Sequence, residues 1–158
     1  MIKYIFITLL LVGCTEGNNK LYIPQDLKDI SIDAHNRTSK PYKFIFYSGD
    51  NSCNKCFLNI IIWKSIIEES KYELGDKIDF IFIFSNKKKD NTQQLVQEYS
   101  LSENKSYIDS SGSFGILNKF DSSTTDFKGF LVDNNYNIII IGDPSRDKSI
   151  WEKIKKTI

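Results

Sequence analysis

The stretch from Ile78 to Phe84, IDFIFIF, is apolar at six of its seven positions. A strand with so little alternation is buried on both faces, and such strands belong to parallel sheets with helices on each side. A second run, Tyr42 to Tyr47 (YKFIFY), is short, aromatic and β-branched and reads as another strand. Between them, Phe57, Ile60, Ile61, Trp63, Lys64 and Ile67 recur at near-helical spacing, with Glu68 and Glu69 marking the exposed end. Ser48 to Ser52 is a turn cluster, Ser52 is the N-cap candidate, and Gly75 falls in the connection to the next strand. Strand, helix, strand in this order favours a right-handed crossover. The expected fold class is α/β, a central mixed sheet flanked by helices.

The rest of the chain completes that picture. Leu21 to Lys40 is a mixed lead-in with one short strand expected near Ile30 to Ile32. Lys87, Lys88 and Lys89 form a solvated loop. Thr92 to Tyr99 reads as a helix, and Ser100 to Phe120 has room for a short strand and a short helix. Phe127 to Asp133 and Tyr136 to Gly142 are two strands joined at Asn134-Asn135, residues that tolerate positive φ in a hairpin turn. Asp143-Pro144-Ser145 stops the second strand, and Lys148 to Ile158 is an amphipathic helix with Ile150, Trp151 and Ile154 inward. No repeat or second domain is visible. The 158 residues suit one domain plus an N-terminal appendage.

The appendage reads as an address. Lys3 precedes the apolar run Tyr4 to Val12, nine residues long and far short of the ~20 that span a bilayer. This is the pattern of a signal peptide. It ends at Leu11-Val12-Gly13-Cys14, which resembles the lipobox of bacterial lipoproteins. The resemblance implies lipidation of Cys14 and attachment to a membrane without spanning it. Several acyl chains are needed for stable attachment. The expected organisation is a signal peptide over 1–13, an anchored tether and lead-in over 14–40, and a domain over 41–158. The protein is then extracytoplasmic, on the periplasmic or cell-surface side.

Three cysteines are present, Cys14, Cys53 and Cys56. With Cys14 assigned to lipid, Cys53-Asn54-Lys55-Cys56 is a C-x-x-C between a strand and a helix. Two cysteines three apart at a helix start can reach bonding distance. Unpaired amides at a helix N-terminus favour the thiolate of the first, which is the nucleophile of disulfide exchange. Lys55 adds positive potential. Zinc sites share the spacing but take a second pair of ligands, and His35, the only histidine, stands apart from any acidic or cysteine cluster. No metal or other cofactor is expected. An inert structural disulfide is the competing reading, since exported proteins form such bonds freely. Formal net charge is +1, with 26% charged and 41% hydrophobic residues. That fits a globular domain and argues against a nucleic-acid partner.

YKFIFYSGDNSCNKC, IDFIFIFSN and FKGFLVDNNYNIIIIGDPSRDKSIWEKI together resemble the thioredoxin fold, and more narrowly the TlpA/ResA-type membrane-anchored thiol-disulfide oxidoreductases, including the C-x-x-C lipoproteins of Bacteroidetes-type bacteria. The resemblance covers Pro41 to Ile158. It implies a dithiol site at Cys53 and Cys56, with protein thiols or disulfides as partners, and a monomeric domain. The sequence departs from the family at four places. Ser52 stands where Trp precedes the first cysteine, Asn54-Lys55 lacks the usual Pro, Asn59 replaces a common Glu, and Phe127, after Asp126, stands where a cis-Pro faces the dithiol. A trans bond is expected before Phe127, because a non-proline cis bond costs about 2.5–4 kcal/mol. Asn54, Lys55, Asp126 and Phe127, with Gly49 and Asp50, are the expected modulators of the site.

Two further readings follow from the same residues. One is a binding or scaffold module that kept the fold and uses Cys53–Cys56 as a staple. The other is copper handling, which in anchored proteins of this kind adds a histidine late in the domain, where this chain has none.

Overall fold

The computed structural model describes residues 20–31, 40–49, 60–85, 94, 96–97, 101, 104–120 and 127–158, with only the backbone of Ile60 and Phe127. Six strands form one sheet: β1 (Lys28–Asp29), β2 (Tyr42–Ser48), β3 (Ile78–Ser85), β4 (Lys105–Asp109), β5 (Phe127–Asp133) and β6 (Ile138–Ile141). Their spatial order is β1-β4-β3-β2-β5-β6. β2–β3 and β3–β4 are parallel, whereas β1–β4, β2–β5 and β5–β6 are antiparallel. Among the described residues run three helices, α1 (Ile60–Glu73), α2 (Ser113–Leu117) and α3 (Lys148–Thr157). Gln94, Val96 and Gln97 are helical as well, inside the span where a helix was expected.

The pleat sorts the central strands by chemistry. Phe44 and Phe46 of β2 and Phe80, Phe82 and Phe84 of β3 point to one face, where α1 and α3 bring Trp63, Ile66, Trp151 and Ile154. Ile45, Tyr47, Ile81 and Ile83 point to the other, against Phe114 of α2, Leu21 of the lead-in, and Phe130 and Val132 of β5. Alternating Phe and Ile in FIF and FIFIF therefore builds an aromatic layer on one side and a mainly aliphatic one on the other. A period of two is what a strand imposes.

Several expectations shift. The lead-in strand falls at Lys28–Asp29, two residues before the expected span. Ile30 instead turns its side chain into the aromatic layer while its amide donates to the Ser106 carbonyl at 2.9 Å. α1 continues past Glu68 and Glu69 to Glu73, and Ile61, one of the helically spaced residues, is 81% exposed. The inward positions are Trp63, Ile66, Ile67 and, just beyond the helix, Leu74. Gly75 takes φ 59° in the turn that follows.

In the β5–β6 hairpin the positive φ falls on Tyr136 (63°), one residue past the two asparagines. The cause is the Asp133 carboxylate. It accepts from the Asn135 amide at 2.8 Å, the Asn137 amide at 2.9 Å and the Asn137 side-chain nitrogen at 2.8 Å. The chain wraps round that carboxylate as a three-residue loop whose last residue is left-handed. In β6, a bulge opposite Leu131/Val132 resets the parity of four consecutive isoleucines. Ile140 thereby enters the aromatic layer, and Ile138 packs against the other.

Candidate functional site

The C-terminal ends of three neighbouring parallel strands meet at one pole of the sheet. In open α/β sheets this is where ligands bind. Ser48 of β2 lies in register with Phe84 of β3 and with Phe127 of β5, and Ser85 of β3 lies in register with Asp109 of β4. Ser48, Ser85 and Asp109 are buried polar side chains, so this pole is polar beneath its surface. Asp109 is occupied by structure. Its carboxylate accepts from the Ser113 amide and the Phe114 amide, both at 3.0 Å, and closes the N-terminus of α2. The lead-in is fastened to the same point, because Ser111 and Ser113 each donate a hydroxyl to Asp26 at 2.8 Å. Those bonds hold the Asp26 carboxyl below its ordinary pKa.

Gly49, half-buried, continues β2 out of this pole, and α1 is described from Ile60 onward. Cys53, Asn54, Lys55 and Cys56, like Asp50 and Ser52, belong to the stretch between and lie outside the described residues, as do Cys14, His35 and Asp126. Phe127 is described by its backbone alone. It opens β5 opposite Ser48, the last residue of β2. Of the residues expected at the site, the structure therefore brings Gly49 and Phe127 to one pole and leaves the rest without description.

The opposite pole carries charge that the sequence reading passed over. Asp79 and Lys43, in register on β3 and β2, are each only 6% exposed. Asp79 lies 3.4 Å from the Lys105 ammonium and accepts from the Lys40 amide at 3.4 Å. Lys43 donates to the Asn134 side-chain oxygen at 2.8 Å and sits 5.2 Å from the centre of the Tyr136 ring. Burial pushes the Lys43 amine below the ordinary lysine value. At about 3.3 Å per residue, Asp79 is about 20 Å along β3 from Ser85. It is too remote to exchange protons with chemistry at the other pole. Only the interruption of IDFIFIF by an acid signalled it.

Comparison with solved structures decides the architecture. The thioredoxin domain of a thiol-disulfide oxidoreductase from Bacteroides vulgatus superposes with a TM-score of 0.54 at 9% identity, covering 76% of this chain and 81% of that one. A thiol:disulfide interchange protein from Bacteroides sp. gives 0.54 at 11% identity, over 75% of this chain and 73% of that one. The pneumococcal exposed lipoprotein thioredoxin Etrx1 gives 0.53 at 12% identity, over 76% and 87%.

The fold is thioredoxin-like.

At these identities the likeness is one of fold. No family model matches the sequence, and no curated protein does either. In this thioredoxin-like domain β2 ends at the pole just described, with its last residue opposite the start of β5. No described helix is long and apolar enough to cross a membrane.

Proposed function

We propose that this chain is a thiol-disulfide oxidoreductase of the cell envelope, acting through Cys53 and Cys56 and held to a membrane by lipid on Cys14. The observation that carries the reading is a C-x-x-C in the eleven residues, 49–59, between the end of β2 and α1 in a chain of thioredoxin-like fold. The structural neighbours include one described as a thiol-disulfide oxidoreductase and one described as a thiol:disulfide interchange protein. Another is an exposed lipoprotein.

In the proposed reaction the Cys53 thiolate attacks one sulfur of a protein disulfide. A mixed disulfide forms and the partner's second sulfur leaves as a thiolate, which takes up a proton. The Cys56 thiolate then attacks the Cys53 sulfur. The partner leaves as a dithiol, two electrons richer, and Cys53–Cys56 is left oxidised. Reversal oxidises the partner instead, and the relative potentials set the direction. Asn54 and Lys55 lie between the two sulfurs in sequence and tune the first one. Asp126 and Phe127 stand where the resembled family places its cis-Pro, and they set what the groove accepts.

Trapping tests this directly. In a Cys56→Ser variant, Cys53 should hold exported proteins as mixed disulfides, visible on non-reducing gels and released by reductant. A reduced Cys53 that resists alkylation at neutral pH overturns the reading. The replacement of the family's Pro by Phe127 favours a second reading, a scaffold with Cys53–Cys56 as a staple. Replacing both cysteines by Ser separates the two. A scaffold loses stability and keeps its biological activity, whereas an exchange protein keeps its fold and loses activity.

A further inference from the structure

The described residues cover the two faces of the sheet unequally. α1 and α3 span the aromatic face, but α2 on the other is five residues long. That is about 7.5 Å of helix against about 24 Å of sheet width for six strands. The lead-in covers part of the remainder. Asn118 holds it there, its side chain bonded to both the amide (2.8 Å) and the carbonyl (2.9 Å) of Tyr22. At the β5–β6 side a groove of 280 Å³ stays open. Phe130, Ile138 and Ile141 line it from the sheet, and Leu21, Tyr22 and Phe120 line it from the lead-in and the end of α2. The β6 bulge makes Ile141 the register partner of Phe130, where it is 63% exposed.

Among the described residues the charge lining the groove has one sign, from Lys20, Lys119 and Lys128. Lys20 also lies in the field of Asp133, so Lys119 and Lys128 dominate. The Lys128 ammonium stands 4.9 Å from the centre of the Phe120 ring, at the junction of polar and apolar surface. Next to the groove, Tyr22, Ile116 and Leu117 are exposed at 44%, 71% and 49%. Exposed apolar side chains beside cations suit an interface with acyl chains below and anionic headgroups above.

We propose that this face rests on the anionic bilayer surface to which the chain is tethered. The inference builds on the lipid-anchor reading of Cys14. Only residues 15–19 separate Cys14 from Lys20. Spanning at most about 3.3–3.6 Å each, they keep Lys20 within about 20 Å of the anchored residue. With the α2 face down, α1 and its layer lie on the side away from the bilayer, toward exported proteins.

The test uses the full chain, produced in an exporting host and purified as the mature protein. Its mass first reports on Cys14. An unacylated Cys14 overturns the anchor reading, and the vesicle comparison is then made with the same protein added from solution. An Ile141→Trp substitution places a probe at the groove, since Trp63 and Trp151 are buried and give a constant background. Vesicles of phosphatidylcholine, with or without phosphatidylglycerol, carry bromine on their acyl chains. The expected result is about twofold quenching of the added emission in anionic vesicles only. It should be abolished by Lys119→Glu with Lys128→Glu and at 1 M salt, where the screening length is about 3 Å. Dithiol exchange by the charge variants should be unchanged, which separates this inference from the redox reading. Equal quenching in both vesicle types, or none in either, overturns the proposal. So does a lipid-independent blue shift that grows with protein concentration, which would assign the groove to a second copy of the chain.

Discussion

Trp63 shows how far one side chain can organise a layer. It is fully buried, with ring centres of Phe44, Phe46 and Phe82 each 5.5 Å away and Phe80 at 6.3 Å. Phe82 and Phe80 meet it edge-on, at 85° and 76°, the geometry that aromatic quadrupoles favour. Its indole nitrogen has no hydrogen-bond partner among the described residues, so its contribution comes from packing. A Trp63→Ala substitution should lower unfolding free energy by about 3–5 kcal/mol. Urea melts followed by far-UV circular dichroism will measure it, and a loss below 1 kcal/mol would mean the aromatic layer repacks freely.

Between elements, α3 is tied to α1 by charge as well as by Trp151 and Ile154. The Lys155 ammonium donates to Glu69 at 2.7 Å and lies 3.2 Å from Glu73 and 3.1 Å from Glu152. The Glu69 hydrogen bond is the main cause holding Lys155 above its ordinary pKa, and the same bond holds Glu69 below its own. A raised lysine stabilises the fold fully below its unfolded pKa and loses that effect as pH rises through the folded value. A lowered glutamate stabilises above its unfolded pKa and loses that effect as pH falls through the folded value. The clamp therefore operates across neutral pH. Lys155→Met should lower the urea midpoint at pH 7. The difference from the parent should shrink below pH 4.5, the ordinary glutamate value, and above pH 10.5, the ordinary lysine value. A constant difference across that range would assign the effect to lost packing of the lysine stem.

On the scale of the molecule, residues 20–31 are a strap round the sheet. Leu21 is buried in the layer beneath α2 and Ile30 in the layer beneath α1, with β1 between them on the edge. The strap thus belongs to both cores. Leu21→Ala and Ile30→Ala should each cost about 2–5 kcal/mol. They lie in separate clusters, so the double variant should lose close to the sum. It should still unfold in one transition, as a single cooperative domain does. A separate low-denaturant step for either variant, seen by proteolysis near the strap, would show that it detaches alone.

The sequence by itself determined the central strands, the crossover and the fold class. IDFIFIF and YKFIFY are too apolar for anything but central strands. It also marked the hairpin, the terminal helix and the dithiol motif, whose residues lie outside the described structure. Tertiary structure decided what local pattern leaves open. Ile61 and Ile66 are alike in sequence, and only the sheet's position exposes one and buries the other. Four consecutive isoleucines carry no alternation, so the bulge opposite Leu131/Val132 chose which of them points inward. The turn residue with positive φ was fixed by the Asp133 carboxylate, and the strand at Lys28–Asp29 by its partner β4. The groove beside Lys119 and Lys128 lies where the described five-residue helix does not reach across the six-stranded sheet. Such features depend on neighbours distant along the chain, which the periodicity of a single segment does not encode.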